Sequence, residues 1–268
     1  MLPVYISYRM EKKMKYLDYG FHGKAAIVTG AGTGMGEACA VELAKGGAKV
    51  ALFGRRMEPL EKVRKECLEY TDGAIALSVD VSDKDAVEKN VSKVIDEFGK
   101  ADILINNAGF DSPVKYGEIP FDVAFDNLEP DEYLRFFKVH ALGHYLMNLA
   151  VIPCMKKNHF GRIVNITSVT AVVGVYGNPA YTGSKAAANC QTMAFAKKYG
   201  RDNIIVNGIM PGMVNTPMKA PSPPEEFEAV ANASTLGRVG EPIDIARVAM
   251  FFAQENLFVT GQTLIVSG

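Results

Sequence analysis

Thr29-Gly30-Ala31-Gly32-Thr33-Gly34-Met35-Gly36 is the stretch that decides the fold. It follows an apolar run at 25–28 that is typical of a buried strand, and it precedes a helix predicted over residues 35–46. The glycines at 30, 34 and 36 allow backbone angles that a Cβ would resist, and they let the chain approach a pyrophosphate closely. The helix that follows offers unpaired N–H groups and the positive end of its dipole.

A glycine-rich turn alone is weak evidence, because any tight strand-to-helix turn gives a similar string. Its position between a strand and a helix of a βαβ unit favours a dinucleotide site. We therefore predict that a cofactor contacts the turn through Gly30, Thr33, Gly34, Met35 and Gly36.

The alternation of strand and helix continues along the chain. Short apolar runs separated by helices are typical of a parallel sheet that is covered on both faces. Strands are predicted at 25–28, 49–53, 74–79, 103–105, 162–167, 204–209 and 263–266, and helices at 35–46, 57–70, 83–98, 130–157, 179–200 and 242–254. We predict one Rossmann-type α/β domain, a doubly wound parallel sheet in three layers, over residues 22–268.

Residues 1–21 are predicted to form an N-terminal extension, either on the surface or as a dimer arm. The apolar patch at 2–6 is too short for the core of a signal peptide, and Arg9, Lys12 and Lys13 follow it instead of preceding it.

Composition excludes several function classes. Of the 268 residues, 48% are apolar and 22% are charged, as in an ordinary globular protein. A net charge of -1 without a basic stripe argues against a nucleic-acid partner. No apolar run approaches the roughly 18 residues of a membrane span, so no membrane partner is expected.

Cysteine and histidine spacing points away from metal or redox chemistry. Without CxxC or CxxH spacing, the cysteines are interpreted as buried reduced thiols of a cytoplasmic protein; they are Cys39, Cys67, Cys154 and Cys190. His140 and His144 share one face of a predicted helix, but no HExxH motif is present and we predict no metal site.

Two irregular segments, 110–129 and 211–226, are rich in proline and are expected to be binding loops at the carboxyl edge of the sheet. Their apolar side chains suit a bulky hydrophobic substrate, although the same residues could simply pack the loops onto the domain. They are Phe110, Tyr116, Phe121, Phe125, Met213 and Met218.

The end of the second strand bears on the choice of nucleotide. An acidic residue there would bind a ribose 2′-hydroxyl and repel a 2′-phosphate. The chain has Gly54-Arg55-Arg56 instead, and a guanidinium suits a phosphate in charge and geometry. This favours NADP(H) over NAD(H), with NAD possible and with surface arginines as the alternative interpretation.

A second constellation, Ser168, Tyr181 and Lys185, predicts proton transfer. Tyr181 and Lys185 share a helix face at a spacing of i and i+4. A lysine ammonium near a phenol lowers the phenol's pKa from its usual value of about 10, which suits a general acid or base. Ser168 follows the predicted strand 162–167, where its hydroxyl could hold a substrate oxygen. Each of these residues alone would be commonplace.

Together these motifs resemble the short-chain dehydrogenase/reductase family, in its single-domain branch, over roughly residues 22–268. The matching motifs are the glycine turn, Asp80-Val81, Asn106-Asn107-Ala108-Gly109, Ser168, Tyr181-x-x-x-Lys185, Pro211-Gly212 and Thr260-Gly261-Gln262. The resemblance implies a tyrosine acid/base, a lysine that lowers its pKa and holds the nicotinamide ribose, and a serine that orients the carbonyl.

The resemblance also assigns further cofactor contacts. It implies adenine contacts from Asp80 and Val81, and a ribose and strand-stabilising role for Asn107, with Ala108 and Gly109 beside it. It implies carboxamide contacts from Val214 and Thr216. A homotetramer or homodimer through helices 130–157 and 179–200 is a further implication.

The chain departs from the family pattern at His140, where an asparagine usually helps to hold a relay water. A histidine could continue the relay with an added titration near pH 6.5, or it could displace the water. The segment 110–139 is longer than usual, and the N-terminal extension and the ending Val266-Ser267-Gly268 also differ.

The implied activity is NADP(H)-dependent interconversion of a ketone and a secondary alcohol. Among substrates of the family, the apolar loops favour a hydroxysteroid or bile-acid-like ketone, with 3-oxoacyl thioesters, sugars or polyols and small cyclic ketones as alternatives. Two other classes are a nucleotide-binding regulator without turnover and an extended epimerase or dehydratase. Retention of Ser168, Tyr181 and Lys185 argues against the first, and the chain has no residues left for the large substrate domain of the second.

Overall fold

Seven parallel strands form a single sheet in the computed structural model, which describes residues 19–111, 128–174, 178–219 and 222–268. The order across the sheet is β3-β2-β1-β4-β5-β6-β7. The strands are β1 (Ala25–Thr29), β2 (Lys49–Gly54), β3 (Ala74–Ser78), β4 (Ile103–Asn106), β5 (Gly161–Ile166), β6 (Ile204–Pro211) and β7 (Thr263–Val266). The chain therefore winds outward from β1 to β3, crosses back to β4 beside β1, and winds outward again.

Helices connect consecutive strands. They are α1 (Gly34–Lys45), α2 (Met57–Cys67), α3 (Lys84–Phe98), α4 (Pro130–Phe137), α5 (Gly143–Lys157), α6 (Thr170–Val173), α7 (Pro179–Tyr199), α8 (Pro224–Ala233) and α9 (Pro242–Phe252). A π-helical turn, Lys138–Leu142, joins α4 to α5, and a 3₁₀ turn, Gly200–Asp202, follows α7.

Local chemistry fixes the helix ends. The Asp83 side chain caps α3 by accepting from the Ala86 N–H, and Gly99 ends that helix in the left-handed conformation with φ of 79°. A capping box between Glu241 and Asp244 starts α9.

Successive strand residues face opposite sides of the sheet, and each side has its own apolar core. On one side, Val28 and Leu52 pack with α1, α2 and α9. On the other, Ile27 and Phe53 pack with α3, α5 and α7. Burial on both faces explains the continuous apolar runs of the sequence and confirms the predicted Rossmann-type fold in three layers.

A row of buried amides joins helices α5 and α7 to the middle of the sheet. Asn106 Nδ2 donates to Asn148 Oδ1 at 2.8 Å and to Asn165 Oδ1 at 2.9 Å. Asn165 Nδ2 in turn donates to Thr192 Oγ1 at 2.9 Å. Because buried polar groups need partners, this row sets how both helices sit against β4 and β5.

Some predicted elements differ from those observed. The helix expected at 130–157 is observed over those residues, but the unpredicted π-helical turn at His140 divides it into α4 and α5. The segment 211–226 is not loop throughout, since α8 begins at Pro224, and α6 was not predicted. Cys190 is exposed and Cys154 half-buried, so burial of all four cysteines is also wrong; all four are free thiols.

Several predictions fall outside the described residues. These are most of the N-terminal extension, together with Tyr116, Phe121 and Phe125 of the loop at 110–129. Phe21 lies on the extension side of the boundary expected at residue 22, and it is buried against the first core. The boundary itself stays a prediction. Among the described ranges, no helix combines the length and apolar character needed to cross a membrane.

Asp102 supports a stability prediction, because it ties the start of β1 to the start of β4. Its buried carboxylate accepts from the Ala25 N–H at 3.0 Å and lies 3.1 Å from Lys100 Nζ. Asp102→Ala leaves the buried Ala25 N–H without this acceptor, so urea unfolding should show a loss of about 1–3 kcal/mol. The matched control is Asp96→Ala on the exposed face of α3, expected within about 0.5 kcal/mol of wild type. Equal effects of the two variants would contradict this role.

Candidate active site

The glycine turn lies where β1 and β4 diverge, at the carboxyl edge of the sheet. Thr29 ends β1, and its Oγ1 accepts from the N–H groups of Asn107 and Ala108, both at 2.9 Å. The Asn107 side chain donates to the carbonyls of Thr29 at 3.1 Å and Gly30 at 3.2 Å. The strand end and the turn are thereby fixed to the residues that follow β4.

Two glycines of the turn have no room for a side chain. Gly30 has φ of +63°, and a Cβ there would lie 2.9 Å from Ala108 Cα. Gly36 sits on α1, where a Cβ would lie 2.2 Å from the Gly30 carbonyl oxygen and 2.6 Å from Asn107 Nδ2. The start of α1 therefore packs directly against the turn, and the first N–H groups of a helix have no partners within it.

A cleft extends from this turn along the carboxyl edge of the sheet. It is lined by most of the residues predicted to bind the cofactor: Gly30, Thr33, Gly34, Met35, Arg55, Arg56, Asp80, Val81, Asn107, Ala108, Gly109 and Thr216. Gly36 lies behind the turn and supports it instead of lining the cleft.

Arg55 and Asp80 stand together at the β2 and β3 end of the cleft. Burial alone would raise the pKa of the Asp80 carboxyl, but two hydrogen bonds from Ser82 and the nearby Arg55 charge outweigh it, so the pKa is lowered. Asp80 is therefore an anion at neutral pH, and Arg55 places a cation beside it.

A second cleft adjoins the first and contains Ser168, Tyr181, Lys185 and Val214. Met35, Asn107, Gly109 and Thr216 line both clefts. The two constellations found in the sequence thus meet at one edge of the sheet.

Helix α7 presents Tyr181 and Lys185 through its first turns. The Asn178 side chain caps the helix by accepting from the Tyr181 N–H at 2.9 Å. Lys185 is only 4% exposed, and its Nζ donates to the Ile166 carbonyl at 3.1 Å, 5.8 Å from the centre of the Tyr181 ring. Burial lowers the pKa of Lys185 to about 8, although the Asp111 carboxylate opposes that shift.

Ser168 lies two residues after the end of β5 and is buried. Its Oγ accepts from the Thr170 N–H at 3.2 Å and from the Thr170 hydroxyl at 3.0 Å. These contacts fix the position of the hydroxyl oxygen, and the hydroxyl hydrogen can still be donated in a hydrogen bond.

His140 lies behind the second cleft and does not line it. It is 0% exposed, its Nε2 accepts from the Phe110 N–H at 3.1 Å, and its Nδ1 lies 2.9 Å from Ser184 Oγ. Burial, with Lys185 and His144 adding to it, lowers the pKa of His140 to about 2. This lowered pKa favours a neutral imidazole and does not favour the added titration near pH 6.5, which was one of the two alternatives for His140.

An ion pair that sequence analysis missed closes one side of the second cleft. Asp111 follows β4, Lys219 follows β6, and their charged groups are in direct contact. No local pattern marks the pair, since its members are 108 positions apart. Phe110 and Met218, both expected in the pocket wall, line the same cleft.

This geometry joins a glycine turn to a serine, tyrosine and lysine at one sheet edge, and comparison with known proteins gives it a family. The family model described as short chain dehydrogenase matches residues 24–226. The chain belongs to the short-chain dehydrogenase family. Members of this family are oxidoreductases that use NAD(P) and act on CH–OH groups.

Relatives of this short-chain dehydrogenase match it over nearly their whole length. A 3-oxoacyl-[acyl-carrier-protein] reductase of Thermotoga maritima is 33% identical over 250 residues, covering 92% of this chain and 97% of that protein. A 3alpha-hydroxysteroid dehydrogenase of Mediterraneibacter gnavus is 34% identical over 248 residues, with 91% and 96% covered. The crystal structure of a levodione reductase has a TM-score of 0.84 at 29% identity, covering 92% and 97% of the two chains.

Gly36 gives a test of whether the turn of this short-chain dehydrogenase is built for the dinucleotide. The glycine turn fits such a group, since its backbone is packed so closely that a Cβ at Gly36 would displace the Gly30 carbonyl and the turn with it. Gly36→Ala should raise the Kd for NADPH about tenfold or more, measured by cofactor fluorescence in this tryptophan-free chain.

The control for that variant is Gly200→Ala, in the 3₁₀ turn after α7, where a Cβ meets nothing within 4 Å. It should leave the Kd unchanged. An unchanged Kd in Gly36→Ala as well would contradict the proposed fit.

Proposed function

We propose that this enzyme uses NADP(H) to interconvert a ketone and a secondary alcohol, with Tyr181 as general acid and base. The observation that carries the proposal is the meeting of the two clefts through Met35, Asn107, Gly109 and Thr216. A nicotinamide reaching from the glycine turn would lie beside Tyr181 and Ser168. We assign the contacts with its carboxamide to Val214 and Thr216, and the fact that both residues line the second cleft supports this.

The residues of the second cleft divide the proton chemistry between them. Bound nicotinamide supplies or accepts the hydride. In the direction of reduction, the Ser168 hydroxyl donates a hydrogen bond to the carbonyl oxygen and the Tyr181 hydroxyl gives that oxygen a proton. The Lys185 ammonium stabilises the phenolate that remains, and it is held for this task by the Ile166 carbonyl.

A bulky hydrophobic substrate, such as a steroid or bile-acid-like ketone, is the class we favour. Phe110 and Met218 supply apolar surface at the cleft, and Phe110 packs on Phe136 at a ring distance of 4.4 Å. The relative acting on a hydroxysteroid supports this class. The relative named for a 3-oxoacyl carrier-protein substrate supports acyl thioesters as the second candidate.

A substrate screen tests this function directly. We expect NADPH oxidation with steroid ketones, and a fall in kcat of at least about 100-fold in Tyr181→Phe, with the Kd for NADPH unchanged. Panels of 3-oxoacyl thioesters, sugars and small cyclic ketones complete the screen. Turnover confined to sugars would contradict the hydrophobic substrate, and full activity in Tyr181→Phe would contradict the acid/base role.

The preference for NADP(H) rests on the arginines that follow β2. Arg55 and Arg56 are exposed at the adenosine end of the first cleft, where a 2′-phosphate would lie beside the guanidinium groups. Arg55→Ala or Arg56→Ala would each remove a charged hydrogen-bond donor to this phosphate. Each should raise the Kd for NADPH about tenfold or more and leave the Kd for NADH within about twofold.

Arg201→Ala is the matched control, because it removes an exposed arginine from the opposite edge of the sheet, before β6 begins. It should change neither Kd. A wild-type kcat/KM higher with NADH than with NADPH would contradict the preference itself.

We further propose a homodimer or homotetramer that buries α5 and α7. Exposed apolar side chains on and beside these helices support this assembly: Leu142, Tyr145, Leu149 and Met193.

A further inference from the structure

The π-helical turn Lys138–Leu142 places His140 between two elements of the proposed active site. Gly143 N–H donates to the Lys138 carbonyl five residues earlier, which defines the turn. The imidazole points away from solvent, toward the loop after β4 on one side and the first turns of α7 on the other.

The partners of His140 determine its tautomer. The Phe110 backbone N–H can only donate, so Nε2 must present its lone pair and carry no proton. A neutral imidazole then has its hydrogen on Nδ1. Ser184 Oγ donates its own hydrogen to the Tyr181 carbonyl at 2.8 Å, so it accepts from His140 Nδ1 at 2.9 Å.

Both ring nitrogens are therefore engaged within the protein. A group that relays protons must gain and lose a proton at one atom. For His140 that atom would be Nε2, and its protonation would break the hydrogen bond from the Phe110 N–H. Lys185 and His144 both disfavour a positive charge on the ring, and the titratable Tyr181 packs edge-on against it.

The same contacts connect the substrate wall to the acid/base residue. The connection runs from the Phe110 backbone through His140 and Ser184 to the Tyr181 carbonyl. The His140 ring also packs edge-on against Tyr181 at 5.4 Å, and it lies tilted against the Phe110 ring at 5.2 Å. These contacts hold the loop after β4 at a fixed distance from α7. They thereby fix the distance from Phe110, in the cleft wall, to the Tyr181 hydroxyl.

We propose that His140 is a positioning residue, locked as the Nδ1–H tautomer, that holds Phe110 and Tyr181 in place and takes no part in proton transfer. The kinetic consequence rests on the proposed function, whereas the tautomer does not. Failure of this proposal and failure of the proposed function are therefore distinguishable, because the tautomer can be observed in the enzyme without turnover.

The first measurement is ¹⁵N–¹H correlation of histidine side chains in the full chain, with His140→Phe used to assign the signals. We expect a neutral Nδ1–H pattern for His140 that does not change between pH 5 and 9. An Nε2–H pattern, or titration within that interval, would overturn the proposal whatever the enzyme's substrate is.

The second measurement is a double-mutant cycle of kcat. His140→Phe keeps the ring but removes both hydrogen bonds, and Ser184→Ala removes one end of the same connection. Each should lower kcat about tenfold or more, with the double variant little worse than the single ones and the Kd for NADPH within about twofold. The pH–rate profile and the solvent deuterium isotope effect should stay as in wild type.

Ser184→Ala keeps this test decisive should His140→Phe fold poorly. Full kcat in Ser184→Ala would show that no positioning passes through Ser184. A changed isotope effect or a lost ionisation in His140→Asn would show that His140 takes part in proton transfer, which would overturn the proposal.

Discussion

Where β1 and β4 diverge, the Thr29 hydroxyl oxygen accepts hydrogen bonds from two backbone N–H groups of the chain that follows β4. This junction is the constraint on which the site depends. A doubly wound sheet opens a crevice at its crossover point, and without such ties the loops on its two sides would be free to separate. Because Asn107 also holds the Gly30 carbonyl, the position of the glycine turn follows from the strand ends and not from the loop itself.

A second feature of the molecule is the burial of charged groups near the candidate active site. Lys185 is almost fully buried, which is costly for an ammonium group, and the Ile166 carbonyl and the Asp111 carboxylate offset that cost. Asp111 is shared, because it also contacts Lys219 across the cleft. The substrate loops and the catalytic lysine are therefore coupled electrostatically, and a ligand that disturbs the ion pair also changes the field at Lys185.

The sequence was informative wherever the controlling physics is local. Strands buried on both faces appear as continuous apolar runs, and the spacing of Tyr181 and Lys185 follows from the helical period alone. Cys190 and the π-helical turn were not predictable in this way, because exposure and helix defects depend on what packs against them. The Asp111–Lys219 pair and the His140–Ser184 contact join residues 108 and 44 positions apart, so only the folded chain brings them together.

The π-helical turn also sets the angular phase of everything that follows it. Each residue of an α-helix advances about 100° around the axis, and the turn inserts one residue beyond that count. Deleting a single residue between Lys138 and Leu142 would rotate the face of α5 by about that angle relative to α4. Met147, Val151 and Met155 would then leave the sheet, so the length of this short turn is fixed by the packing of the whole helix behind it.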